Sequence, residues 1–140
     1  MFGTFNKPIA AYRDVGVTSS VSTADPHQLI MLLFDGAQAA LAIAKGAMTQ
    51  NAIADKGNAI SKAIDIIDNG LKACLDLERG QDLAERLYAL YDYMVNRLLV
   101  ANLKNDLAAL EEVMRLLGEI QSAWAEIRPQ VLDGKKAKHV

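Results

Sequence analysis

A chain of 140 residues that is 51% apolar and 23% charged has the composition of one globular domain, with enough apolar mass for a core without disulfides or metals. A net charge of −2 excludes the electrostatic footprint of a nucleic-acid or anionic-membrane binder, and a single cysteine, Cys74, excludes an intramolecular disulfide and fits a reducing compartment. The apolar share is rich in Ala and Leu and there are only three prolines, so an all-α protein is expected. No apolar run of about 18 residues and no signal-peptide core stands out, which predicts a soluble intracellular protein without membrane insertion.

Residues 1–24 lack sustained periodicity and read as a mobile arm; only Ile9 to Val15 offers a short amphipathic turn, with Ile9 and Tyr12 on one side at i, i+3 spacing. The first long helix starts sharply at Asp25-Pro26-His27-Gln28: an N-cap carboxylate, proline at the first helical position, and Gln three residues after the cap. It carries Leu29, Ile30, Leu33, Phe34, Ala37, Ala40, Leu41, Ala44 and Met48, and its small residues allow a neighbour to approach closely. It fades near Gln50-Asn51. A second helix is expected from Ala54 to Arg79, with Ile60, Ile64, Ile67, Leu71 and Leu75 on the core stripe, Ile66, Ala73 and Leu77 widening the arc, and Gly80 as its C′ residue.

The third helix, LAERLYALYDYMVNRLLVAN (Leu83–Asn102), carries too much apolar surface. At about 100° per residue, Leu83, Leu87, Leu90, Met94 and Ala101 share one stripe, the expected core face. Tyr88, Tyr91, Val95 and Leu99 form a second stripe beside it, with Leu98 between the two. Together they span about half the circumference, against roughly 100° for an ordinary surface helix. A tight reversal follows, with Asn105 or Asp106 as the next N-cap. The fourth helix carries Leu107, Leu110, Val113, Met114, Leu117, Ile120, Trp124 and Ile127 and is expected to stop at the Arg128-Pro129 step. Short connections make neighbours antiparallel, so the expected fold is an up-down-up-down four-helix bundle over 25–128, with a short helical arm at 1–24 and a flexible basic tail at 129–140.

The chemistry that bundles often carry is missing. A di-iron site needs inward Glu and Glu-x-x-His, and no Glu-x-x-His occurs. Of the two histidines, His27 sits in a first helical turn, where a local polar contact is expected, and His139 lies in the tail. Asp65, Asp68 and Asp92 read as solvated faces. Cys74 reads as a small buried hydrophobe with no histidine nearby to activate it. No phosphate loop, nucleophile–base pair or metal spacing is present, so no enzyme, cofactor or metal is expected.

Three ordered blocks, TADPHQLIMLLFDGA (Thr23–Ala37), SKAIDIIDNGLKACLDLERG (Ser61–Gly80) and LYDYMVNRLLVANLKNDLAALEEVMRLL (Leu90–Leu117), resemble the flagellar secretion chaperones of the FliS family over nearly the whole chain, from about Ile9 to Ile127. The resemblance implies a cytoplasmic four-helix bundle that binds the C-terminal segment of flagellin, prevents its premature polymerisation and assists its delivery to the export apparatus. It further implies an N-terminal segment, here Ile9 and Tyr12, that packs over the bundle until the client displaces it. FliS-like proteins also contact a membrane export gate component when loaded, and some bind the anti-sigma factor FlgM. Residues and resemblance meet on the wide arcs of helices two and three, where helix-in-groove recognition needs apolar walls. The candidate partner-binding residues are Ile66, Leu77, Tyr88, Tyr91, Val95, Leu98, Leu99 and Asn102, with Ile9 and Tyr12 on the arm. The competing reading is a structural bundle whose spare apolar surface is covered in a free homodimer.

Overall fold

A computed structural model describes residues 25–133, with side chains through residue 127. The expected arm at 1–24 and the basic run at 134–139 lie outside the described residues. Within them the chain is all-helical, with four helices and no strand.

Helix α1 (Pro26–Thr49) begins as its sequence dictates: Asp25 is extended, its carboxylate accepts the Gln28 N–H at 2.6 Å, and Pro26 occupies the first turn, where a missing N–H costs nothing. By length and composition α1 would also pass as a membrane span, contrary to the expectation that no run was apolar enough. Its hydropathy is that of a core helix, because Leu33, Phe34, Ala37, Leu41 and Ala44 are fully or almost fully buried against the other helices.

Helix α2 (Ile53–Asp65) does not continue as a regular helix to Arg79. It passes into a π-helical segment (Ile66–Leu71) and a 3₁₀ turn (Lys72–Cys74), after which Leu75 is extended. The Lys72 N–H reaches back five residues to the Ile67 carbonyl. A π turn holds an extra residue, so it rotates everything after it relative to an α pattern. It also puts Ile66, Ile67, Gly70 and Leu71 all in the interior. Gly70 fits there because a Cβ would meet the Leu33 side chain at 3.2 Å.

The connection to α3 is tied by Asp76, whose carboxylate accepts the N–H groups of Glu78 and Arg79 and whose carbonyl accepts the Gly80 N–H at 2.7 Å. Gly80 is therefore the residue that opens α3 (Gln81–Lys104) rather than the one that closes α2. A Cβ at Gly80 would lie 2.5 Å from the Ala84 Cβ and 2.8 Å from the Asp76 carbonyl oxygen, so close approach excludes a side chain. At the far end Asn105 takes the left-handed conformation (φ 52°) and closes α3, and Asp106 caps α4 (Leu107–Asp133) by accepting the Ala109 N–H. Helix α4 runs on through Pro129 to Asp133 instead of stopping at Arg128. Near a helix end proline forfeits one backbone bond, which is not enough to force a stop.

All four helices contribute to one core, in which Phe34, Ile60, Ile66, Met94, Leu98 and Leu117 are among the largest fully buried side chains. Polar ties cross it at the rim. Asp35 accepts from Gln121, Gln38 donates to the Met114 carbonyl, and Lys45 pairs with Glu111, all joining α1 to α4. His27 is buried and meets Trp124 of α4, a contact across 97 residues rather than the local one expected of a first-turn histidine. Lys56 is buried as well: its ammonium donates to the Asn102 carbonyl at 3.1 Å and the Asn105 side chain at 3.2 Å, satisfying the C-terminal end of α3 with a cation from α2.

Candidate partner-binding surface

Helix α3 divides its apolar residues between two faces, though not where periodicity alone put the division. Tyr91 (3% exposed), Met94, Leu98 and Ala101 are core. Tyr91, assigned to the outer flank, and Leu98, placed between the two stripes and named as a partner-binding candidate, are therefore interior: three- and four-residue spacing sets them in phase with Met94 and Ala101, on the side that faces the other helices. Leu83, assigned to the core, is 66% exposed, while its neighbour Ala84 is the buried residue of that turn. Helical phase gives a direction, and burial also needs a neighbouring element at that height.

What remains outside is a stripe along one side of α3: Tyr88, half-buried Val95, Leu99 (52% exposed) and Leu103 (83% exposed). Spacings of seven, four and four residues keep them on a common face. Leu103 was not among the residues picked from the sequence, although it continues the i, i+4 series from Leu99. Leu77, in the turn before α3, is exposed, and Asn102 is half-buried with its carbonyl engaged by Lys56. Ile66 is fully buried in the π segment and cannot present its side chain to a partner in this conformation. Ile9 and Tyr12 lie outside the described residues.

The stripe is bordered on the α2 side by a charged cluster. The Lys72 ammonium lies 2.7 Å from Asp68 and 2.7 Å from Asp92, and 4.6 Å from the centre of the Tyr88 ring. Hydrogen bonds to Asp68 and Asp92 push the Lys72 ammonium well above its usual range, so it stays charged. Asp68 and Asp92 are thus parts of an ion cluster rather than simply solvated positions. On the opposite side of α3 the Tyr93 hydroxyl donates to Glu112 at 2.6 Å and Arg97 donates to the same carboxylate at 2.8 Å. Tyr93 and Arg97 together hold the Glu112 carboxyl below the usual carboxylate range. One side of α3 is therefore committed to α4 by polar contacts, and the other carries uncovered apolar surface.

The groups with altered acidity near this surface are poor reagents. Burial pushes the Cys74 thiol up to about 12, and burial together with Cys74 pushes the Tyr91 hydroxyl up as well. A thiol held protonated is an inert packing group. Among the described residues no three His, Cys, Asp or Glu side chains converge as a metal site. Two shallow grooves open where α1 meets α2: one of about 450 Å³ lined by Ala40, Ile43, Ala47, Ala52, Asp55 and Lys62, and one of about 200 Å³ beside Lys56 and Asn105. The sequence pattern did not point to either.

Comparison with known proteins places the chain in a family. The family model described as flagellar protein FliS matches residues 8–131. The chain is 55% identical over 122 residues to the flagellar secretion chaperone FliS of Salmonella typhimurium, covering 87% of this chain and 90% of that one. Against the flagellar secretion chaperone FliS of Escherichia coli it is 48% identical over 120 residues, 86% of this chain and 88% of that one. Against that of Bacillus subtilis identity is 32% over 119 residues, 85% of this chain and 84% of that one. The chain therefore belongs to the FliS family of flagellar secretion chaperones, whose name points to a non-enzymatic role.

Proposed function

We propose that this protein binds the C-terminal segment of flagellin in the bacterial cytosol, keeps it from polymerising prematurely and assists its delivery to the export apparatus. The observation that carries this reading is the apolar stripe of exposed Tyr88, Leu99 and Leu103 with half-buried Val95, which runs over four turns on a chain whose relatives are named as chaperones of flagellar secretion. A disordered client loses about 2–5 kcal/mol or more on ordering, so it needs a long, mostly apolar contact to offset that cost. Tyr88 adds a hydroxyl able to meet a backbone group of the client.

The same reading takes the four helices as an antiparallel up-down-up-down bundle over 25–128. Support comes from the ends that touch: His27 at the start of α1 meets Trp124 late in α4, Lys45 late in α1 meets Glu111 early in α4, and Lys56 early in α2 meets the end of α3. The arm with Ile9 and Tyr12 covers apolar surface until the client arrives, and the basic tail remains solvated. Of the candidate partner-binding residues, Leu77, Tyr88, Val95, Leu99 and Asn102 keep side chains at or near the surface and form the binding set, with Leu103 beside them. Loaded protein engages a membrane export gate component, and FlgM is a secondary partner.

Titration of a flagellin C-terminal peptide into the purified chain, followed by heat and by elution volume, tests the proposal. Saturable heat with formation of a one-to-one complex is expected. Absence of heat at tens of micromolar peptide, with the chain eluting as a dimer, would favour self-association of the same stripe instead.

A further inference from the structure

We propose that Lys72 is a positioning residue for the client surface: held by Asp68 and Asp92, its ammonium fixes the Tyr88 ring in the orientation on which a client segment packs. The inference rests on the client-binding reading of the α3 stripe and adds to it the device that sets one wall of that surface.

Three features place Lys72 for this role. The π segment sets its direction, since the Lys72 N–H bonds to the Ile67 carbonyl, five residues back, and the side chain that follows points at α3. The two carboxylates come from different elements, Asp68 from the π segment and Asp92 from α3, so the ammonium cannot follow one without leaving the other. Its side chain is only 18% exposed, whereas Asp68 and Asp92 are 41% and 48% exposed. The Lys72 side chain is thus largely covered, and its two carboxylate partners stand half-exposed beside the ammonium.

Against this fixed charge lies Tyr88, whose ring centre is 4.6 Å from the Lys72 Nζ. A ring face attracts a cation through its quadrupole, more strongly where water is excluded. Tyr88 is 38% exposed, so the cation secures it while leaving part of it open. A ring already held does not lose rotamer freedom when a partner packs on it, and that saved entropy appears as affinity. Tyr93, by contrast, is held through its hydroxyl by Glu112, on the opposite side of α3. The role assigned to Lys72 is indirect: it touches Tyr88, and Tyr88 touches the client.

The test is a double-mutant cycle on binding of a flagellin C-terminal peptide, using the full chain with Lys72→Met, Tyr88→Ala and the pair, and Lys72→Arg as the conservative variant. Failure of the unmutated chain to bind the peptide overturns the client-binding reading itself and leaves nothing for Lys72 to position. With binding established, Lys72→Met should weaken affinity about three- to tenfold, Lys72→Arg should restore most of it, and Lys72→Met should have no further effect once Tyr88 is Ala. Unchanged affinity in Lys72→Met, or an equal loss with and without Tyr88, overturns the inference. Thermal melts run alongside, because a general structural role would lower the melting temperature without coupling to Tyr88. If Lys72→Met does not fold, Asp92→Asn takes its place in the same cycle: it frees the ammonium on one side only, and the same coupling to Tyr88 is required.

Discussion

His27 and Trp124 hold one another twice over: their rings stack 4.6 Å apart at 11°, the His27 Nε2 donates to the Trp124 carbonyl at 2.8 Å, and the Trp124 indole N–H donates to the His27 carbonyl at 3.1 Å. A contact spanning 97 residues thereby closes the start of α1 onto α4. Trp124→Phe keeps an aromatic ring and removes one donor, so a loss of about 1 kcal/mol is expected. His27→Ala removes the stack and a hydrogen bond together, and about 2–3 kcal/mol is expected. Urea unfolding followed by helicity measures both. Trp124 is the only tryptophan, so its emission in the unmutated chain should change at the same urea concentration as the helix signal.

Two glycines should respond in opposite directions to the same substitution. Gly80→Ala forces a methyl against the Asp76 carbonyl and Ala84, and should destabilise by about 1–3 kcal/mol. Gly46→Ala places a methyl in open space within α1 and should stabilise by about 0.5–1 kcal/mol. Equal melting temperatures for the two variants would contradict the geometry assigned to the α2–α3 turn.

Lys56→Met keeps most of the side-chain volume but deprives the Asn102 carbonyl and the Asn105 side chain of their donor. A loss of about 1–3 kcal/mol is expected, as for hydrogen bonds from a charged donor to part-buried acceptors. Hydrogen exchange should quicken first in the last turn of α3. Uniform quickening throughout the chain would mean that Lys56 is not a local cap.

Alkali should weaken the fold in a defined window. Burial raises the Cys74 thiol from 9.0 to about 12, and Tyr91 moves in the same direction. A group raised in the folded state stabilises fully below its unfolded value and loses that contribution as pH rises through the folded value. Stability should therefore hold to about pH 9 and fall from there toward pH 12, and Cys74→Ala should flatten part of that fall. At pH 8 folded protein should label slowly with a thiol reagent and quickly after urea. Fast labelling of folded protein would place Cys74 outside the packed environment described.

Much of the architecture was legible because it is local. Asp25-Pro26 and Asp106 announce helix starts through their own side chains; the residues of α1 that pattern as apolar are largely those that are buried, and on α4 Leu110, Val113 and Leu117 are buried while the others of that pattern are partly exposed. What could not be read depends on neighbours. Nothing in IIDNGL announces that the ladder widens into a π turn, and that widening moves Ile66 into the core and ends the helix early. Lys56 and His27 look like ordinary surface residues until distant chain covers them. On α3 the total apolar excess was visible, but its division was not: Tyr91 differs from Tyr88 by three positions, and the approach of the other helices decides which of them is inside.

That division supplies the most direct test. With side-chain methyl and aromatic signals followed by NMR, saturating flagellin C-terminal peptide should shift Tyr88, Val95, Leu99 and Leu103, and Leu99→Ala or Leu103→Ala should weaken binding with helicity intact. Tyr91→Ala and Leu98→Ala should instead cost about 3–5 kcal/mol of folding stability as truncations of the core. Binding that saturates while Tyr88, Leu99 and Leu103 remain unshifted would contradict the assignment of this stripe to the client.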